Sequence, residues 1–307
     1  MTEINSSQSS NPLFKQSSLD FIPLPITENI AGNYDKYLRI SLFHIHQLKK
    51  YYLNTNPKSD ELREKYFGKI LEKNISRDKK ILLLDLDETL IHADFLEDSI
   101  DNEIINENQN NKYDTIISFY TEEPGNNNNH TNDNNNNDTN TTDDDSKDDS
   151  SEKVLNKVGI FIRPKVKEFL EEISKLFEIG IFTASIPEYA DAVINYLDPD
   201  ERYIKFRLYR NDCVIIGDLL RVKDLSIFGE KNLNRIVLLD NNIYSFPKQL
   251  SNGILVNSFF CDKKDDELSN VRKYLVEYIF PCDDVRKINE QFFGFETILE
   301  NFTKINA

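Results

Sequence analysis

Cysteine is scarce in this chain. Its 307 residues hold three, Cys213, Cys261 and Cys282, with no C-x-x-C pair and no zinc-ligand spacing. An odd, scattered set argues against a disulfide framework and for a reducing compartment, and each reads as a small buried hydrophobe. Histidine is nearly as sparse, at four; His44 and His46, two apart on a helical stretch, do not share a face, so a histidine metal centre is not supported. No apolar run approaches the length of a membrane span, and Met1 to Ser18 lack the basic-then-apolar start of a secretory leader. The expectation is a soluble protein, nuclear or cytoplasmic, and not secreted. Basic residues are outnumbered, 37 against 53 acidic, for a formal net charge of −16. There is no basic stripe with interleaved aromatics, so direct nucleic-acid binding is not expected. A G-x-S-x-G elbow and a Walker loop are also absent.

The acidic excess is unevenly placed. Between Asp101 and Glu152 there are fourteen acidic residues and two basic ones, which accounts for about twelve of the sixteen surplus charges. Residues 1–25 are Ser/Asn-rich and read as a disordered N-terminus. Residues 26–77 read as a helical extension, with Tyr34, Leu38, Leu42, Ile45, Leu48 and Tyr52 forming a stripe and a second, charged helix from about Ser59. Two roles suit that stripe: a cover packed on the main domain, or a partner-binding element, the cover being the plainer. Residues 78–300 read as one α/β domain. Within it, Tyr113 to Tyr120 and Val158 to Ile162 are two strands. They are separated by an Asn/Asp/Thr/Ser-rich segment, 122–157, too polar to bury anything, which reads as a disordered insertion at a hairpin tip.

The domain opens on Ile81-Leu82-Leu83-Leu84 followed by Asp85-Leu86-Asp87-Glu88-Thr89-Leu90. Side chains two apart on an extended segment point to the same side, so both carboxylates can face one phosphate. One can attack phosphorus while the other handles the leaving-group proton. Such an attack meets like-charge repulsion, so the chemistry needs a divalent cation and a fixed lysine or arginine. Later strand ends supply candidates. Ile179 to Phe182 ends at Thr183, whose hydroxyl can donate to a phosphoryl oxygen, and Ile236 to Leu239 ends at Asp240-Asn241, hard oxygen ligands for Mg²⁺. Lys223 can offset developing negative charge. A helix from Val166 to Phe177 and another from Pro187 to Leu197 alternate with these strands. That pattern predicts a Rossmann-like parallel sheet with helices on both faces and ligands outside its carboxyl edge. A cysteine-based phosphatase needs a nucleophilic thiol in a phosphate-cradling loop ending in Arg, which all three cysteines lack.

Six ordered segments carry a resemblance: Asp85 to His92; Arg163-Pro164 with Glu168-Phe169-Leu170; Phe182 to Ser185 with Tyr189-Ala190; Arg207 to Arg210 with Cys213; Val222 to Ser226; and Leu239-Asp240-Asn241. Over about residues 78 to 300 the chain resembles the small CTD-phosphatase (NLI-interacting-factor-like) family of the haloacid dehalogenase superfamily. Those proteins dephosphorylate serine or threonine, notably in the C-terminal repeats of RNA polymerase II. The resemblance implies a haloacid dehalogenase-like fold with a small β-hairpin insertion and no large cap domain. It also implies that Asp85 is the nucleophile and Asp87 the acid and then the base. Thr183 and Lys223 hold the phosphoryl group, and Mg²⁺ is bound by Asp85, the Asp87 carbonyl, Asp240 and Asn241. Arg210 matches an arginine beside the substrate peptide. Phe95 and Phe119 fall where the family builds an apolar pocket, and core packing is an equal alternative for them. The implied partner is a phosphorylated protein. Where the family follows Asp-Asn with Ser-Pro, this chain has Asn242-Ile243, and Gly229-Glu230 replaces Gly-Arg. Two other readings of the same fold are a catalytically weak or inactive binding scaffold and a small-molecule phosphatase. Relatives of the first kind tend to lack the first aspartate, and the second suits members with a large cap.

Overall fold

The computed structural model describes residues 36–50, 78–96, 112–122, 153–216 and 220–305. In chain order the first elements are α1 (Lys36–Leu48), β1 (Lys80–Leu84), β2 (Ile91–Phe95), β3 (Thr115–Glu122), β4 (Lys153–Ile162), α2 (Val166–Ile173), β5 (Phe177–Phe182) and α3 (Pro187–Leu197). There follow β6 (Ile204–Leu208), β7 (Val214–Ile216), β8 (Leu220–Val222), β9 (Ile236–Asp240), β10 (Gly253–Leu255), α4 (Glu267–Tyr274), α5 (Val285–Phe293) and α6 (Phe295–Ile305). The N-terminal segment, the helix expected from about Ser59 and most of the polar insertion lie outside the described residues.

Five strands form a parallel sheet in the order β10-β9-β1-β5-β6. Every residue of β5 and β9 is buried, as are four of the five in β1. Burial without alternation means that both faces are covered, the signature of a parallel α/β sheet. Gly180 lets that packing close, since a Cβ there would meet the Phe206 ring at 2.4 Å. From β1 the chain moves outward to β5 and β6, then returns across β1 to β9 and β10. The order therefore reverses between β1 and β9, and a ligand crevice belongs outside the carboxyl ends of that pair.

A second, antiparallel sheet, β2-β4-β3, stands beyond the end of β1. Here the structure corrects the expected insertion boundary: residues 153–157, placed in the disordered 122–157 segment, extend β4 and pair with 118–122. Lys153 to Lys157 adjoin the polar segment yet form a strand whose ladder is supplied by β3, with Asn156 donating to Thr121 Oγ1 at 2.9 Å. Among the described residues between Asp87 and the start of β5, regular structure is confined to this sheet and α2.

The apolar stripe on α1 is used internally. Leu38, Leu42 and Ile45 are buried in the same core as the parallel sheet. Lys49 pairs with Glu296 at 3.1 Å, and His44 Nδ1 lies 3.2 Å from the Tyr244 hydroxyl. The cysteine expectation is corrected in part. Cys213 is buried and Cys282 half-buried, but Cys261 is exposed in a left-handed turn (φ 64°).

Candidate active site

Strand β1 delivers its two aspartates to different surroundings. Asp85, 7% exposed, accepts from Lys223 Nζ at 2.5 Å through Oδ1 and from Thr89 Oγ1 at 3.0 Å through Oδ2. Glu88 adopts a left-handed conformation (φ 56°) that folds the chain back, its N–H donating to the Ile91 carbonyl at 2.7 Å. That tight turn leaves Asp87 at the mouth of the site. Its Oδ2 accepts from Ser185 Oγ at 2.6 Å and its Oδ1 from the Tyr189 hydroxyl at 2.5 Å. Burial pushes the Asp87 carboxyl up to about 6. The bonds from Ser185 and Tyr189 pull the other way, and the charges of Asp85 and Glu88 add to the rise. Burial and the Asp87 charge also hold the Tyr189 phenol firmly protonated, so it serves as a donor.

Lys223 follows β8 and is fully buried, with its ammonium between Asp85 Oδ1 and Asp240 Oδ2, the latter at 2.6 Å. Burial opposes its charge, but Asp240 and Asp85 together raise its pKa above the ordinary lysine value. Asp240 ends β9; burial pushes its carboxyl up to about 6 against the pull of Lys223. Its Oδ1 accepts from the Asn242 backbone N–H at 2.7 Å, and the Asn242 side chain, standing where the family has serine, accepts through Oδ1 from the Tyr244 N–H at 3.0 Å. Asn241 donates through Nδ2 to Ser258 Oγ at 2.9 Å, turning its Oδ1 toward Thr89 Oγ1, 3.3 Å away.

These donors fit a magnesium ion. Two carboxylates and one lysine leave a buried centre with a surplus negative charge. The Asn241 amide oxygen faces the threonine that also touches Asp85. Mg²⁺ takes one or two carboxylates and keeps water and phosphate for its other positions. Among the described residues no group of three His, Cys, Asp or Glu side chains gathers as a transition-metal cage would require.

Thr183 ends β5, one strand from Asp85, and is buried; its Oγ1 accepts from the Ser185 N–H at 3.0 Å. Arg210 is exposed on a short turn after β6, with Nε donating to the Ala184 carbonyl at 2.8 Å. Beside Asp87 opens a cleft of about 380 Å³ whose walls include Phe95, Phe119, Tyr189 and Arg210. The two phenylalanines divide the alternatives offered for them. Phe119 is 6% exposed and belongs to the core as well as the wall, whereas Phe95 is 69% exposed. Every residue nominated from sequence thus lies in or beside this crevice. Sequence reasoning gave no role to Thr89, Ser185, Tyr189 or Arg163. Thr89 lies in the turn between β1 and β2, Ser185 in the loop from β5 to α3, and Tyr189 in the first turn of α3, all beyond the carboxyl edge of the parallel sheet. Buried Arg163 donates to the Thr89 and Asn257 carbonyls, each at 2.9 Å, and pairs with Asp265 at 2.8 Å. It fastens two loops of the site, a role visible only in three dimensions.

A parallel sheet with a carboxylate–lysine centre at its topological switch point and an aromatic hairpin over the mouth defines the phosphatase-like α/β class. Comparison with known proteins makes this particular: the chain belongs to the NLI interacting factor-like phosphatase family, whose model matches residues 80–286. It is 41% identical over 138 residues to CTD small phosphatase-like protein 2 of Dictyostelium discoideum, covering 44% of this chain and 24% of that protein. Over 138 residues it is 36% identical to human carboxy-terminal domain RNA polymerase II polypeptide A small phosphatase 1, covering 45% and 51%. With CTD nuclear envelope phosphatase 1B of Danio rerio the identity is 31% over 209 residues, covering 67% and 69%. The chain spans less than half the length of the first curated relatives it matches.

Proposed function

We propose that this protein is a Mg²⁺-dependent serine/threonine phosphatase of phosphorylated proteins that works through an aspartyl-phosphate on Asp85. The observation that carries this reading is the contrast between the two aspartates. Asp85 is held against Lys223 in the buried centre, while Asp87, with its pKa raised to about 6, sits at the cleft mouth. A carboxylate held against a buried lysine suits a nucleophile, and a carboxyl raised toward neutrality beside the cleft suits an acid.

In the first step an Asp85 oxygen attacks phosphorus and the ester bond breaks. Asp87 gives its proton to the leaving serine or threonine oxygen. In the second, Asp87, now a carboxylate, takes a proton from water; that water attacks phosphorus, and inorganic phosphate leaves Asp85 regenerated. Thr183 and Lys223 hold phosphoryl oxygens through both steps. Asp85, the Asp87 carbonyl, Asp240 and Asn241 would bind Mg²⁺, which when present offsets repulsion between carboxylate and phosphate. Residues 78–300 form the catalytic domain, 26–77 its helical extension, and the segment within 122–152 a polar insertion at the hairpin tip.

Phe95, Phe119 and Tyr189 give the cleft apolar walls for a substrate side chain, and Arg210 stands at the rim beside the substrate backbone. The cleft is open among the described residues, which include no large cap, and this favours a polypeptide over a small phosphorylated metabolite. The human relative's name supports the C-terminal repeats of RNA polymerase II as one substrate, and a nuclear or cytoplasmic location goes with it. No helix among the described residues is long and apolar enough to cross a membrane. The test is phosphate release from an aryl phosphate and from phosphoserine peptides, with and without EDTA. Chelation should abolish turnover, and Asp85→Asn should lower kcat by about a thousandfold or more. Undiminished turnover in Asp85→Asn contradicts the assignment.

A further inference from the structure

Tyr189 touches both halves of the site. Its hydroxyl donates to Asp87 Oδ1 at 2.5 Å, and its ring centroid lies 5.6 Å from that of Phe119 and 5.9 Å from that of Phe95. The residue is buried, and its helix packs against β3 of the hairpin. The other Asp87 oxygen is held by Ser185, two residues before the start of the same helix. Phe95, largely exposed, is the loosely held wall of the cleft. A side chain lodged between Phe95 and Phe119 therefore packs on a ring whose hydroxyl holds the carboxyl that Asp87 uses as acid.

We propose that Tyr189 is a positioning residue that couples filling of the apolar cleft to placement of Asp87. Phosphoserine or phosphothreonine substrates with an apolar neighbour then gain in kcat and not only in KM. This inference rests on the phosphatase reading and adds to it the way substrate choice reaches the chemistry. A general acid acts only within hydrogen-bond reach of the leaving oxygen, and small misplacements are costly. A tyrosine that merely satisfied its own hydroxyl would leave the response to the substrate's neighbouring residues unaltered.

The test compares wild type, Tyr189→Phe and Asp85→Asn on phosphoserine peptides. The peptides carry proline, leucine or glycine at each position within two residues of the phosphoserine, and an aryl phosphate serves as a substrate that leaves without a proton. In wild type the preferred apolar peptide should exceed its glycine counterpart in kcat by about tenfold. Tyr189→Phe should lower the apolar peptide's kcat by about tenfold to a hundredfold, with a smaller factor for the aryl phosphate. The kcat preference should vanish while a KM preference persists. Should melting show Tyr189→Phe misfolded, Phe119→Ala, which keeps the hydroxyl, should likewise erase the kcat preference. A kcat preference that survives in the folded variant, or a wild-type preference confined to KM, overturns the coupling while leaving the phosphatase assignment standing. Undiminished turnover by Asp85→Asn overturns both.

Discussion

Lys223 answers a charge problem that Asp85 and Asp240 create together. Two carboxylates buried side by side repel, and an ammonium within 2.6 Å of both lets them coexist away from water. Asp87 lies outside that lysine-bridged pair, and the two roles proposed for it can be separated by experiment. An aryl leaving group departs without a proton, whereas a serine alkoxide does not. Asp87→Asn should therefore give a burst of phenolate from an aryl phosphate followed by slow turnover, and no burst from a phosphoserine peptide. Stopped-flow absorbance of the phenolate and quenched-flow assay of the dephosphorylated peptide read the two cases, and equal slowing of both first steps contradicts the acid role. Asp85, Asp87, Thr183, Lys223, Asp240 and Asn241 were legible because each sits at or near a strand end and has a residue type suited to one task. Tyr189 and Arg163 were not, because a tyrosine near a helix start and an arginine before a proline take their meaning from partners about a hundred residues away.

At the scale of elements, the parallel strands were legible because their residues are apolar without alternation, and α2 and α3 because apolar residues recur at helical spacing. The N-terminal part of β4 was not, since Lys153 to Lys157 directly follow the polar segment and set Val154 and Leu155 side by side instead of in alternation. Its ladder with β3 decides their conformation. Helix α1 resolves the two roles offered for its stripe, because Leu38, Leu42 and Ile45 pack into the core. Leu42→Ala should cost about 2–5 kcal/mol of unfolding free energy, measured by urea titration. At a temperature where the variant is folded, kcat for an aryl phosphate should stay at the wild-type value. A cost well under 1 kcal/mol would contradict the description of α1 as part of this core.

At the scale of the whole molecule, the order β10-β9-β1-β5-β6 gathers the chemistry at one edge. Asp85, Thr183 and Asp240 lie at 85, 183 and 240 in the chain, yet they end neighbouring strands, and the described part of the hairpin adds aromatic walls to the cleft. What the arrangement accomplishes turns on the covalent step. The decisive measurement is acid quenching during turnover of a phosphorylated substrate with Mg²⁺, followed by mass spectrometry of the digested protein. A phosphate on the peptide containing Asp85, labile to hydroxylamine and missing in Asp85→Asn, is the predicted result. An unmodified Asp85 during sustained turnover, or phosphate carried on another residue, would contradict it.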